Sequence, residues 1–240
     1  EILTTLYESF LRTRPHEPHW PQRDRFILSK GHAAPALYAT LARKGFFDPA
    51  LLMTLRQTGS LLQGHPCMTR APGVDMSSGS LGLGLSAGLG MALAARLQGA
   101  TWRVVILCGD GELNEGQNWE AFMAIAKWRP SNLIAIVDRN RVQLDGLESA
   151  IMPLGDIAAK VASFGLHVES CNGHDCAALR ATLERAAAHA PAVLIAETVK
   201  GKGVSFMEGQ AAWHGKPVDD EALSAAMAEL SAGLEALERI

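Results

Sequence analysis

Val104-Val105-Ile106-Leu107-Cys108 runs straight into Gly109-Asp110-Gly111, and Leu133-Ile134-Ala135-Ile136-Val137 runs straight into Asp138-Arg139-Asn140. Each stretch is a short apolar run that ends on polar, turn-forming residues. That is the signature of a strand buried on both faces, the kind found in parallel sheets. Between them, Asn118 to Trp128 suits a helix. A strand, a helix and a second buried strand make a βαβ unit, and this unit sets the fold class.

The same rhythm extends outward. The spacing predicts helices over Ile157 to Phe164 and Ala177 to Ala188, the latter with Asp175 as cap. It predicts strands over His167 to Ser170 and Val193 to Val199, and a final amphipathic helix over Asp219 to Glu238. The first strand is taken as Trp102 to Cys108. Upstream, Leu85 to Leu97 is a helix of small residues. Ile2, Leu3, Leu6, Phe10 and Leu11 recur at helical spacing, and the helix they form stops before Arg14-Pro15. Helices are also expected from about Ala33 to Arg43 and from about Pro49 to Gln57, the second with Asp48-Pro49 as its start. Ser60 to Gly84, rich in glycine and proline and without periodicity, reads as a long functional loop. The expected architecture is α/β: a mostly parallel sheet with helices on both faces. It occupies one domain over residues 1–240, of which 219–240 form a helical extension.

Composition agrees. The chain has 240 residues, 48% apolar and 20% charged, enough for a substantial core. With 22 basic and 25 acidic side chains the net charge is -3, which offers no general attraction to nucleic acid or to an anionic membrane. No apolar run is long enough to span a bilayer. Four unevenly spaced cysteines do not form a disulfide framework, and a cytoplasmic location is expected. His167, Cys171, His174 and Cys176 cluster in sequence but lack a Cys-x2-Cys pair. They read as a strand end, a turn and a helix start, not as a zinc site. The chain begins at Glu1 inside a helix, so its start is expected to be truncated.

In an open α/β sheet, ligands bind beyond the carboxyl ends of the strands. If the two opening strands are neighbours, Asp110 and Asn140 face each other there. An aspartate and an asparagine offer hard oxygens, suited to Mg2+ or Ca2+. Two side chains do not fill an octahedron, and such an ion takes further oxygens from water or phosphate. Gly111 leaves the backbone open to a phosphate oxygen. The local expectation is a cation-bridged diphosphate. Taken singly, Gly-Asp-Gly and Asp-x-Asn are common turns.

The pair together is more specific. Gly109-Asp110-Gly111, then 28 residues, then Asn140 resembles the thiamine diphosphate motif. Several further segments resemble transketolase: Asp24-Arg25-Phe26-Ile27-Leu28-Ser29-Lys30-Gly31-His32-Ala33, Gly64-His65-Pro66, Gly79-Ser80-Leu81-Gly82, the continuation of Gly109-Asp110-Gly111 through Glu112-Leu113-Asn114-Glu115-Gly116, Asp138-Arg139-Asn140 and Trp213-His214-Gly215. The similarity runs along nearly the whole chain and is to the N-terminal, diphosphate-binding portion of that family. The length and the segment Val199 to Glu208 resemble its split form.

The resemblance implies a thiamin diphosphate-binding fold and a transferase that moves a two-carbon ketol unit from a ketose, or ketose phosphate, to an aldose. Asp110, Asn140 and the carbonyl of Val142 are then the ligands of Mg2+ (or Ca2+ or Mn2+). Gly79, Leu81, Gly111, Asn140, Leu144, His32 and His214 contact thiamine diphosphate. His32, His65, His214 and Glu115 are the catalytic candidates, Glu115 standing at the interface between active sites. The histidines can exchange a proton near neutral pH and support a developing alkoxide. The implied partner is a separate pyrimidine-binding C-terminal subunit in an α2β2 heterotetramer, without which the chain is inactive. Leu83, where many relatives carry glutamine, Arg139, and the lack of a further Gly-His segment before Glu1 depart from the pattern. The other functions open at this stage are a synthase or decarboxylase subunit using the same cofactor and a non-catalytic assembly subunit.

Overall fold

The computed structural model describes residues 1–238. The chain opens with α1 (Ile2–Thr5), which continues as a π-helical turn over Leu6–Phe10, and then enters β1 (Arg25–Leu28). A single 3-10 turn, Gly31–Ala33, leads into α2 (Ala34–Lys44), which Gly45 ends in the left-handed conformation. Pro49–Thr54 forms a 3-10 helix whose start is capped by Asp48, its carboxylate accepting the Ala50 N–H at 2.8 Å. The segment from 60 to 83 contains no regular element. Next come α3 (Gly84–Leu97), β2 (Val104–Gly109), α4 (Gly116–Trp128) and β3 (Leu133–Arg139). A small hairpin, β4 (Val142–Gln143) and β5 (Gly146–Leu147), is followed by the short α5 (Glu148–Ile151) and by α6 (Ile157–Ser163). The remainder is β6 (His167–Asn172), α7 (Cys176–Ala188), β7 (Ala192–Glu197) and α8 (Asp220–Glu238).

Five strands form one parallel sheet in the order β1-β2-β3-β7-β6. The two opening strands are indeed neighbours, with Gly109 paired to Asp138. Alternation along each strand divides the core into two faces. Val105, Leu107, Ile134, Ile136 and Leu194 pack with Leu37 and Tyr38 of α2 and Leu179 and Leu183 of α7. Ile106, Cys108, Ala135, Val137 and Ile195 pack with Leu85 and Leu89 of α3, Phe122 and Ile125 of α4 and Val161 of α6. Both faces are covered, so the strands need no polar side, and β2 is buried at every position.

The structure adds elements that the pattern did not show. β1 escapes notice because it has only three apolar residues behind Asp24-Arg25, and Arg25 lies on the Trp102 ring at 4.6 Å instead of in solvent. The helix expected over Pro49 to Gln57 is a 3-10 helix ending at Thr54. The hairpin of β4 and β5 follows the Asp138-Arg139-Asn140 strand exit, in a stretch for which the pattern predicts no element. The C-terminal helix is present from Asp220, while residues 239 and 240 of the expected extension lie outside the described residues. Among the described residues no helix is long and apolar enough to cross a membrane. The His167-to-Cys176 cluster serves the scaffold: Nε2 of His174 accepts the Val199 N–H at 2.8 Å, and Asp175 caps α7 through Ala177 and Ala178.

Candidate active site at the strand ends

Parallel strands bring their carboxyl ends to one edge of the sheet. Lys30 follows β1, Asp110 follows β2, Asn140 follows β3, and Thr198 and Lys200 follow β7. Lys30, Asp110, Asn140 and Lys200 meet around a cleft of about 450 Å3. Nearly all the residues picked from sequence line it: His32, Gly79, Leu81, Asp110, Gly111, Asn140, Val142, Leu144 and His214.

Asp110 is buried, and its two carboxylate oxygens accept the N–H groups of Gly111 (2.8 Å) and Arg141. Burial, and secondarily Asp138, push its carboxyl above the ordinary carboxylate range, against the pull of those two donors. Asn140 turns its Oδ1 to the Val142 N–H at 3.1 Å, which fixes the amide at the cleft edge. A carboxylate oxygen or an amide oxygen that accepts one hydrogen bond keeps a second lone pair. Asp110, Asn140 and the main-chain carbonyl of Val142 can therefore offer three hard oxygens to a divalent cation, which would offset the cost of burying Asp110. Among the described residues no group of three or more His, Cys, Asp or Glu stands ready to hold a metal. A cation here thus needs the amide and carbonyl oxygens, and oxygens from its ligand. The donor set fits a hard cation carried in with a diphosphate, and it does not fit zinc.

The positive side of the cleft was not read from the sequence. Lys30 donates to Asp138, which also accepts from the Thr198 hydroxyl. Burial opposes ionisation of Asp138, but the Lys30 ammonium and these donors hold its carboxyl below the usual range. Lys200 lies in the same field. Burial first, and then repulsion from Lys30, lower its pKa against the pull of Asp138 and Asp110. Two ammonium groups facing a cleft that also holds a cation site suit an anion with several charges. A signal existed for Lys30, since it ends the Phe26-Ile27-Leu28-Ser29 run, but only the recognition of β1 makes that run a strand end.

His32 and His214 stack beside these lysines, with ring centroids 5.1 Å apart. Desolvation in the cleft, then the positive charges of Lys30, His214, Lys200 and His65, lower the pKa of His32 to about 4. His214 is lowered as well, by burial, then Lys200 and Lys30. Both rings are neutral at pH 7, so each has one N–H to donate and one nitrogen to accept a proton. The Nδ1 of His214 is buried without a partner, as is the Gln143 amide nitrogen beside Gly111.

A buried carboxylate missed by the sequence reading joins the two sides. Glu112 accepts from the Ser29 hydroxyl and the Gly82 N–H (2.8 Å) through one oxygen and from the Gly109 N–H (3.1 Å) through the other. It ties the ends of β1 and β2 to the loop that carries Gly79 and Leu81. Gln117 supports the same loop by donating to the Leu81 carbonyl at 3.0 Å. Gly82 takes φ +87°, a left-handed value that other residues adopt at a cost. Gly31 allows a close approach, because a β-carbon there would lie 2.7 Å from the Ser78 hydroxyl and 3.0 Å from the Gly79 nitrogen.

Two candidates stand apart from the cleft lining. The His65 ring packs behind Gly79, near where a β-carbon of that residue would be (3.3 Å). Glu115 is exposed at the start of α4, behind Gly82. Leu83 is exposed beside it.

The comparisons with known proteins agree with this geometry. The family profile described as "Transketolase, thiamine diphosphate binding domain" matches residues 1–236. The chain is 44% identical over 232 residues to the "6-deoxy-6-sulfo-D-fructose transketolase subunit SqwG" of Clostridium sp. (strain MSTE9), covering 96% of this chain and 84% of that protein. It is 41% identical over 240 residues to an apulose-4-phosphate transketolase subunit of Phocaeicola vulgatus, covering 99% and 85%. The crystal structure of transketolase from Campylobacter jejuni superposes with a TM-score of 0.89 at 32% identity, over 96% of this chain and 37% of that one. With its sheet, its strand-end cleft and these relatives in agreement, the chain belongs to the transketolase family and carries that family's thiamine diphosphate-binding domain.

Proposed function

We propose that the chain is the diphosphate-binding subunit of a two-chain transketolase, which moves a two-carbon ketol unit from an anionic ketose to an aldose. One observation carries the reading: four strand ends converge a carboxylate, an amide and two lysines on one cleft beside two neutral histidines. The described residues 1–238 serve as one unit, with α8 as its helical extension. Relatives that are themselves named as subunits support a separate partner, which we take to be the pyrimidine-binding subunit in an α2β2 assembly. Four free cysteines suit a reducing compartment such as the cytoplasm.

Thiamine diphosphate supplies the carbon that carries the two-carbon fragment. The chain's own part is to bind, orient and move protons. Asp110, Asn140 and the Val142 carbonyl would hold Mg2+, or Ca2+ or Mn2+ in its place. Lys30 and Lys200 would hold the diphosphate, beside Gly111, whose backbone carries no side chain. Gly79 and Leu81 shape one wall and Leu144 the rim. Neutral His32 and His214 are placed to take a proton from a sugar hydroxyl and return it, and to donate an N–H to a developing alkoxide. His65 supports the wall behind Gly79. Glu115, exposed and outside the cleft lining, is assigned to contact with another subunit.

The test is reconstitution with a pyrimidine-domain subunit. Two-carbon transfer should require both chains, thiamine diphosphate and a divalent cation, and chelation should abolish it. Transfer by the chain alone, or release of a carboxylic acid in place of transfer, would refute the reading.

A further inference from the structure

One cleft residue carries a hydrogen-bonding group with nothing to bond. Gln143 lines the cleft between Val142 and Leu144. Its amide nitrogen is shielded from water and has no hydrogen-bond partner among the described residues. A buried donor left unsatisfied lowers stability, and folded chains keep few of them. Neither the sequence motifs nor the cation site uses this group.

Residues of the cation site hold the glutamine in place. The Arg141 N–H donates to Asp110, and the Val142 N–H donates to Oδ1 of Asn140 at 3.1 Å. Arg141 takes φ +61°, a left-handed value rare in residues with a side chain, and its guanidinium bonds Glu197 at 2.6 Å. On the far side Gln143 pairs with Gly146 across the β4–β5 hairpin. Gly111 then makes room for the side chain, since a β-carbon there would lie 3.0 Å from Gln143 Cγ. A larger residue at 111 would push the glutamine away from this end of the cleft.

The surroundings define the acceptor that the amide lacks. Lys30 and Lys200 lie in the same cleft, with Asp110, Asn140 and the Val142 carbonyl available to a hard cation. Cation and lysines together suit an anion with several oxygens, each of which accepts hydrogen bonds. An amide adds a donor there without adding charge, so it costs less to bury than a third ammonium group. Resting on the transketolase reading above, we propose that Gln143 binds the cofactor, its amide N–H donating to a diphosphate oxygen beside Gly111. A turn about the last side-chain torsion, which is broad in glutamine, carries the nitrogen into the cleft.

The test uses the reconstituted two-subunit enzyme with wild type, Gln143→Met, Gln143→Ala and Gln143→Glu. Methionine keeps the length of the side chain and removes the donor. Titration calorimetry in Mg2+ should show thiamine diphosphate bound about tenfold more weakly by the methionine and alanine variants, and more weakly still by the glutamate variant, whose charge repels the anion. Competition by inorganic pyrophosphate with Mg2+ should weaken by a similar factor, which places the contact on the diphosphate. In the absence of cofactor the methionine variant should unfold at or above the wild-type temperature, because an unsatisfied donor has been removed. Methionine and alanine variants that bind thiamine diphosphate within about twofold of wild type overturn the assignment, as does unchanged competition by pyrophosphate. A methionine variant that unfolds at a lower temperature overturns it too, since the glutamine then serves the hairpin. A wild-type complex that binds no thiamine diphosphate refutes the underlying reading instead.

Discussion

The two walls of the cleft are made by opposite means. The strand-end wall carries Asp110, Asn140, Lys30, Asp138 and Lys200 at or just beyond the ends of paired strands, with Asp110 and Asp138 already engaged by backbone or side-chain donors. The loop wall carries Gly79, Leu81 and Arg56, with the His65 ring behind Gly79, on segments without regular structure, held by glycines, tight turns and one buried carboxylate. The first wall is charged and set at strand ends, and the second is shaped by loops. A diphosphate with its cation is invariant and needs preorganised charge. A sugar varies, and its recognition can be left to loops.

The largest expected effect tests the strand-end wall. Asp110→Ala removes the one carboxylate offered to the cation. Changes to residues that only support metal ligands cost about 10–100-fold in affinity, so loss of a direct ligand should exceed roughly 100-fold. Titration calorimetry of thiamine diphosphate in the presence of Mg2+, with the partner subunit, reads this directly. Changes on the loop wall should alter sugar KM and leave cofactor affinity far less affected. If Asp110→Ala binds cofactor as wild type does, the division between the walls fails.

Glu112 is where the walls are joined, and the expected effect there is intermediate. Glu112→Gln keeps the volume but turns an NH2 group toward a donor that now meets a carboxylate oxygen, either Gly82 or Gly109. An unsatisfied buried donor costs about 1–3 kcal/mol. Thermal unfolding should show that loss. Cofactor affinity should fall by about tenfold, as for other outer supports. Glu112→Ala should lose more stability. A loss of stability in both variants with unchanged cofactor affinity would show that the loop is not positioned through Glu112.

The contrast also explains what could be read in the sequence. The strand-end wall belongs to a regular fold, and its apolar runs announced β2 and β3 with Asp110 and Asn140 at their ends. Lys30 was hidden because β1 has three apolar residues and an arginine that lays its guanidinium on Trp102. Asp138 was read only as part of a strand exit. Its pairing with Lys30 and Thr198 joins residues far apart in sequence, and no local pattern carries it. On the loop wall, Gly79 and Leu81 were found through motif likeness alone. Glu112 passed as an ordinary acidic residue, since nothing in Gly111-Glu112-Leu113 says that its carboxylate is buried. Arg56 was invisible for a different reason: a left-handed arginine leaves no mark in composition or periodicity.

The smallest effect concerns protonation, and it sharpens the contrast at the junction of the walls. His32 takes its low value, about 4, from desolvation and from Lys30, His214, Lys200 and His65. An unfolded chain protonates histidine near about 6.5. Between about pH 6.5 and 4 the unfolded state therefore binds the extra proton and the folded state does not, so stability falls as pH is lowered through that window. Above about 6.5 the ring contributes no pH dependence. NMR titration should place the His32 midpoint near about 4. Lys30→Met should raise it by removing the positive charge that acts most on the ring, and His32→Gln should flatten the acid loss of stability. A His32 midpoint at about 6.5 in the folded protein would mean that the lysines on the strand-end wall do not govern the ring. The neutral imidazole that proton exchange requires would then be set by something other than this cluster of charge.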